Sequence, residues 1–72
     1  MTDGNRLKRL IEQSGIKVTA LCDRTGITRQ TLYNKLNGKG NFTVPEITAL
    51  TQELHLTATQ RNEIFFASEV AK

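Results

Sequence analysis

Apolar residues recur three and four positions apart along almost the whole 72-residue chain, which is the spacing of α-helices with one buried face. No run alternates apolar and polar residues for long enough to predict a β-strand. Glycine, proline and threonine interrupt the pattern at short intervals, so the helices that it predicts are short. We therefore expect an all-α fold of five helices, forming a single domain over residues 1 to 72.

The first two helices are each followed by a glycine. The first is expected to start after Asp3 and to end at Ser14, with Gly15 as its left-handed cap. The second should start after Lys17, whose side chain is not a good cap, and should stop before Gly26. Its inward face carries Val18, Leu21 and Cys22.

The other three helices begin at threonines. Thr28 can cap the third helix, and Thr43 with Glu46 has the spacing of a capping box for the fourth. Thr57 opens the fifth helix, which is expected to run close to the C-terminus. Two hydrophobic staples accompany these starts: Ile27 with Leu32, and Phe42 with Ile47.

Residues 18 to 37 have the spacing of a helix-turn-helix, with about two turns of helix, a tight turn at Gly26 and a second helix packed on the first. At about 100° per residue, Leu32 and Leu36 fall within about 40° of each other on the second helix. Gln30 and Asn34 then point to the opposite side, which is expected to face solvent or a partner.

The outward side chains of this helix are of the types that read DNA bases. Arginine can bond to O6 and N7 of guanine, and asparagine or glutamine to N6 and N7 of adenine. Arg29 lies nearer the apolar edge, but it is in the first turn, which enters the major groove in this motif, so its long side chain can still reach a base. We therefore predict base contacts from Arg29, Gln30 and Asn34, with Tyr33 beside them, on a recognition helix at about residues 28 to 37.

The charge is divided unevenly along the chain. Residues 1 to 42 hold eight Lys or Arg against three Asp or Glu, a net charge of +5, whereas residues 43 to 72 hold two against four, a net of −2. This division suggests that one end of the molecule meets a polyanion. Lys17, Lys35, Lys39 and free backbone N–H groups around residues 38 to 40 are suited to DNA phosphates. An ordinary solvated charged surface is the competing interpretation.

Residues 16 to 40, IKVTALCDRTGITRQTLYNKLNGKG, resemble the helix-turn-helix of the lambda-repressor-like family. Residues 41 to 70, NFTVPEITALTQELHLTATQRNEIFFASEV, are similar to the C-terminal part of small Cro-like and repressor-like regulators of Gram-positive phages and prophages. The resemblance implies a five-helix domain that acts as a dimer on a two-fold operator without catalysis. It also implies a groove contact by Tyr33 and phosphate contacts by Lys17, Thr19, Thr28, Lys39 and Asn41.

Two positions depart from the family pattern. Cys22 stands where the family usually has alanine, at the closest approach of the two helices. Lys35 stands where the family usually has an apolar residue. The lysine indicates either a slightly rotated third helix or a side chain that extends along the protein surface toward a phosphate.

Other classes of protein fit the sequence poorly. The single Cys22 cannot form an internal disulfide, no apolar run approaches the roughly 20 residues of a membrane span, and no secretory signal is visible, so a cytoplasmic location is expected. His55 has no second ligand at metal-binding spacing, and Cys22 has no histidine partner that would activate it. We expect no enzyme activity, metal, cofactor or small-molecule ligand.

The sequence therefore predicts a DNA-binding transcriptional regulator that occupies a palindromic operator. The alternative is a protein-interaction module, such as an antitoxin or antirepressor, whose helix-turn-helix serves as a scaffold. A module that no longer bound DNA would have little reason to keep a net charge of +5 on residues 1 to 42.

The apolar residues of the fifth helix indicate a surface through which two copies of the chain could associate. In RNEIFFASEVAK, Ile64, Ala67 and Ala71 share one stripe, and Phe66 and Val70 fall roughly 120–160° away from Ile64 at 100° per residue. We expect Phe66 and Val70 to form a dimer interface, with Phe66 more exposed than Phe65. A helix buried deeply enough to cover both stripes is the alternative.

Overall fold

Five α-helices follow one another in the structure, a computed structural model that describes residues 2–66. They are α1 (Gly4–Ser14), α2 (Val18–Thr25), α3 (Arg29–Leu36), α4 (Val44–Glu53) and α5 (Ala58–Phe65). Every regular element within these residues is helical, which confirms the predicted all-α fold. None of the described helices is long and apolar enough to cross a membrane.

Side-chain caps define where most of the helices begin. Asp3, Thr28, Thr43 and Thr57 each accept a hydrogen bond from the backbone N–H three residues further on. The side chains of Glu46 and Gln60 in turn accept hydrogen bonds from the backbone N–H groups of Thr43 and Thr57, which completes two capping boxes. Lys17 makes no such bond at the start of α2, as predicted. Since a cap contributes about 1 kcal/mol, α2 depends more than the others on tertiary packing.

Left-handed residues follow four of the helices, and Gly38, with φ of 85°, is the one that follows α3. Gly15 and Gly26 have φ of 76° at the ends of α1 and α2, as the sequence predicts. His55 has φ of 53° after α4, a conformation that costs a residue with a side chain roughly 1–2 kcal/mol. The N–H groups of His55 and Leu56 donate to the carbonyls of Gln52 and Thr51, which is the hydrogen-bond pattern of a Schellman motif.

The core takes one almost completely buried residue from each helix. These residues are Leu7, Leu21, Leu32, Leu50 and Ile64. α1 packs against α3 and α5, α2 packs against α3 and α4, and α4 packs against α5. The rings of Phe42 and Phe65 meet edge to face with 5.5 Å between centroids, so the segment before α4 is anchored to α5.

The start of α1 lies directly on the end of α3. A Cβ atom at Gly4 would collide with the carbonyl oxygen of Leu36, so only glycine permits this approach. On the same side, Lys8 Nζ donates to Asn37 Oδ1 at 2.8 Å. These contacts position the C-terminal end of α3 through the backbone of α1.

α5 ends earlier than the sequence predicts. Its last helical residue is Phe65, and Phe66 has left the helix with φ of −124° and ψ of 38°. The assumption of one continuous helix through Phe66 was therefore wrong, and the expected angle around that helix from Ile64 to Phe66 does not apply. Residues 67–72, with Val70 of the expected interface, lie outside the described residues. Phe65 is buried and Phe66 half-buried, in the expected order.

Candidate nucleic-acid interface

α2, a short turn and α3 form a helix-turn-helix, as the sequence predicts. Gly26 donates its N–H to the carbonyl of Cys22 at 2.8 Å, and Ile27 is buried in the turn. Leu32 and Leu36 are the buried residues of α3, so they define its inner face. The opposite face of α3 must therefore lie outward.

The four side chains predicted to read DNA are exposed on α3: Gln30 and Asn34 lie opposite the buried face, Tyr33 lies beside them, and Arg29 lies in the first turn nearer the apolar edge. Side-chain hydrogen bonds of α3 and its caps instead involve Thr28, Thr31, Lys35 and Asn37. Within residues 2–66, the polar groups of the four outward side chains are therefore available to a partner. We call this surface the α3 face.

The N-terminal end of α3 is held by its cap. Thr28 Oγ1 accepts from the Thr31 N–H at 3.1 Å and donates to Thr31 Oγ1 at 2.8 Å. Beside it, an open groove of about 370 Å³ between α2 and α3 is bordered by Thr19, Thr28 and Arg29. The structure thus brings two predicted phosphate contacts next to a predicted base contact.

Cys22 packs at the crossing of α2 and α3, as expected, and is 8% exposed. Burial raises the pKa of its thiol, while Arg29 opposes this rise and Asp23 adds to it. The thiol is therefore protonated at neutral pH, which fits a packing role and not that of a nucleophile. Within residues 2–66, no three His, Cys, Asp or Glu side chains are grouped to hold a metal ion.

Three ion pairs join the two oppositely charged parts of the chain. They are Arg6–Glu63 at 2.8 Å, Arg24–Glu53 at 3.6 Å and Lys35–Glu46 at 2.6 Å. Every described carboxylate after residue 42 therefore pairs with a cation from before it. The expectation that the two parts form separate ends of the molecule was wrong, because basic side chains of one part lie against acidic side chains of the other in these three pairs.

The remaining cations of the N-terminal part show where positive charge is left uncompensated. Four exposed ones form no ion pair within the described part of the chain: Arg9, Lys17, Arg29 and Lys39. The last three are among the predicted DNA contacts. Positive charge around the helix-turn-helix is thus carried by specific residues and not by the whole N-terminal part.

Lys35 does not join the other predicted phosphate contacts. Its ammonium lies 2.6 Å from Glu46 Oε1 and 5.8 Å from the centre of the Phe42 ring. Only 17% of its side chain is exposed. The mostly buried aliphatic stem thus lies along the protein surface, while the charged end turns toward Glu46 on α4.

Glu46 is held as a carboxylate by its neighbours. Burial on its own would raise the pKa of Glu46, but hydrogen bonds from Lys35 and from the Thr43 N–H outweigh it and lower the pKa. The sequence predicted only the capping role of Glu46. The pair with Lys35 could not be predicted because the two residues lie on different helices, α3 and α4, whose packing local sequence spacing does not specify.

The loop after α3 also differs from expectation. Gly38 donates its N–H to the carbonyl of Lys35 at 3.2 Å, and Lys39 donates its N–H to that of Asn34 at 2.8 Å. These two N–H groups cap α3 and are not free for phosphates, so the prediction was wrong for residues 38 and 39. The side chains of Lys39 and Asn41 are exposed, as a phosphate contact would require.

Comparison with known proteins agrees with this geometry. A family model described as the helix-turn-helix domain of resolvase matches residues 1–39, which include α1, α2 and α3. No curated protein and no solved structure shows significant similarity to the chain. The match concerns the resolvase type of helix-turn-helix and does not show membership of the lambda-repressor-like family. Because it covers more than half of the 72 residues, the chain belongs to the helix-turn-helix DNA-binding family that this resolvase domain represents.

Proposed function

We propose that the protein is a sequence-specific transcriptional regulator that occupies a two-fold symmetric DNA operator. α3 enters the major groove, where Arg29, Gln30 and Asn34 read base edges and Tyr33 contacts the groove. The observation that carries this proposal is the α3 face. Its four side chains are exposed and make no hydrogen bonds within residues 2–66, while Leu32 and Leu36 anchor the helix in the core. Such a face offers donors and acceptors without the cost of breaking internal bonds.

Phosphate contacts complete the proposed interface on both sides of α3. Lys17 and Thr19 lie at the start of α2, Thr28 caps α3, and Lys39 and Asn41 lie in the loop after α3. All five are exposed. These contacts position α3 without reading sequence. Lys35 is left out of this set because its ammonium is paired with Glu46.

The type of regulator is part of the proposal. The family match ends at Lys39, and α4 and α5 continue beyond it. The two additional helices are the basis for proposing a Cro-like or repressor-like regulator that acts by occupying a promoter in the cytoplasm. No catalytic step is assigned to it.

The operator symmetry requires two copies of the protein. Recognition helices must lie about 34 Å apart to enter successive major grooves. The molecule measures 35 × 24 × 20 Å, so two copies side by side can meet this spacing. We propose that Phe66, half-buried after the end of α5, contributes to the contact between them, together with Val70.

Sedimentation equilibrium tests this interface. Phe66→Glu should shift a dimer toward a folded monomer and weaken operator binding. Val44→Glu adds the same charge at a side chain that is 73% exposed, and it should leave the mass unchanged. An unchanged mass for Phe66→Glu would place Phe66 outside the interface, and an unfolded variant would place it in the core.

Selection of bound DNA from a random oligonucleotide pool tests the function itself. The expected result is one motif with two-fold symmetry and half-sites about one helical turn apart. If the purified protein showed no salt-sensitive DNA binding even at low ionic strength, the proposal would fail. The protein-interaction module, of the antitoxin or antirepressor type, would then be the better interpretation.

Two kinds of variant separate base contacts from phosphate contacts. Arg29→Ala or Gln30→Ala should cost roughly 1–3 kcal/mol on the selected site and relax preference at one or two base positions. Lys39→Ala should weaken binding to all sequences alike and reduce the salt slope by about one unit. Equal weakening of selected and random DNA by Arg29→Ala would show that Arg29 contacts a phosphate.

A further inference from the structure

Glu46 touches the recognition helix from outside the region that the family model covers. It lies on α4, whereas the match ends at Lys39. One carboxylate oxygen, Oε1, accepts from Lys35 Nζ at 2.6 Å and from the Thr43 N–H at 2.8 Å. A single atom thus connects the last turn of α3 with the first turn of α4.

The Lys35–Glu46 pair is more enclosed than the other two ion pairs. Its side chains are 17% and 19% exposed, against 42% and 40% for Arg6–Glu63 and 59% and 30% for Arg24–Glu53. Exposed pairs are weakened by solvent and salt, whereas an enclosed pair that shares a hydrogen bond holds its geometry. The Lys35 ammonium is therefore fixed and not merely near a carboxylate.

Lys35 follows Asn34 of the α3 face and lies about 100° further around the helix. A released lysine there has a flexible four-carbon stem and a compact charge, which suits a phosphate beside the groove. We infer that Glu46 is a positioning residue for DNA recognition: by holding Lys35 against α4, it keeps one cation away from DNA phosphates and anchors the end of α3. This inference rests on the proposed function and extends it to a residue on α4.

The inference predicts how DNA affinity responds when Glu46 loses its charge. Glutamine at position 46 can keep the capping box, since that motif accepts either residue. The freed Lys35 would then add one sequence-independent phosphate contact. Binding to random DNA should tighten more than binding to the operator, because the operator complex also needs the α3–α4 anchor that the substitution loosens.

Fluorescence anisotropy with the selected operator and with a random duplex, between 50 and 200 mM salt, tests this prediction. Glu46→Gln should steepen the log–log salt slope by about 0.9, which is an additional loss of about threefold in affinity across that range. Glu63→Gln makes the same change of net charge at the Arg6 pair, and it should leave the slope unchanged. The double variant Lys35→Gln with Glu46→Gln should return to the wild-type slope.

Three results would overturn the inference: a wild-type slope for Glu46→Gln, equal steepening by Glu63→Gln, or a double variant shallower than wild type. If circular dichroism showed that Glu46→Gln does not fold, Lys35→Gln alone would decide. It should keep the wild-type slope, and a slope shallower by about one unit would show that Lys35 already contacts a phosphate. Absence of salt-dependent binding by the wild type would instead refute the proposed function, and this inference with it.

Discussion

The α2–α3 unit and the α4–α5 unit are stabilised in different ways. Both α4 and α5 begin with complete capping boxes, whereas α2 begins without a side-chain cap and α3 with a threonine alone. The described carboxylates of α4 and α5 pair with cations of the N-terminal helices, while the α3 face makes no side-chain bonds within residues 2–66. The α4–α5 unit therefore has well-capped helices and supplies the carboxylates that neutralise cations of the N-terminal helices. The α2–α3 unit leaves the polar groups of the α3 face to a partner.

This division makes α3 depend on its neighbours for its position. Its C-terminal end is contacted by Gly4 of α1, and its last turn by Glu46 of α4. Its crossing with α2 is filled by Cys22. Substitutions at these three supports, and at a matched site in the α4–α5 unit, therefore test the comparison.

The largest effect is expected at Gly4. Gly4→Ala would place a methyl group against the carbonyl oxygen of Leu36. Neither atom can move without moving the backbone, so the substitution should lower the free energy of unfolding by about 3 kcal/mol. Gly15→Ala is the control, because its φ of 76° is unfavourable but no neighbour lies within 4 Å. It should cost only about 1 kcal/mol. Equal losses in urea unfolding would show that α1 does not fix α3 by close approach.

Cys22 tests the crossing of α2 and α3. Cys22→Leu should overpack this site, which is 8% exposed, and cost about 1–3 kcal/mol in urea unfolding. Cys22→Ala should be tolerated because a smaller side chain fits the close crossing without overpacking it. A leucine variant as stable as wild type would mean that the side chain points to solvent and that α2 is rotated.

The Lys35–Glu46 pair gives stability an acid dependence. Folding lowers the pKa of Glu46 below the ordinary glutamate value. The pair therefore stabilises the protein fully at pH above the ordinary value, and this stabilisation is lost as pH falls through the lower pKa of the folded protein. Glu46→Gln should cost about 1 kcal/mol near neutral pH. The difference from wild type should shrink as pH falls below the ordinary glutamate pKa of 4.5 and then through the lower pKa of Glu46 in the folded protein. A difference independent of pH would show that the charge on Glu46 does not matter.

The smallest effect is expected in the α4–α5 unit and has the opposite sign. His55→Gly should raise the free energy of unfolding by about 0.5–1 kcal/mol, because glycine adopts the φ of 53° without strain. His55→Ala keeps a Cβ atom and should bring no such gain. Thermal unfolding of both variants makes this comparison, and equal stability of the two would show that strain at position 55 is negligible.

Local chemistry explains why the helix boundaries were predictable. Thr28 and Thr43 bond to N–H groups three residues away, and Gly15 and Gly26 adopt a conformation that few other residues reach. The identity of each residue was sufficient because these interactions span less than two helical turns. The end of α5 lacked such a signal, since neither glycine nor proline follows Phe65 closely.

The five helices, the helix-turn-helix and the outward polar types on α3 were predictable from the sequence, because caps, turns and apolar periodicity are properties of neighbouring residues. Which charged side chains remain unpaired depends on how the helices pack. Lys35 and Lys39 have the same chemistry, yet helix packing gives one of them a carboxylate from α4 and leaves the other exposed. The physical reason is that an ion pair forms across a few ångströms of space, and a linear sequence does not record which distant residues the packed helices bring together.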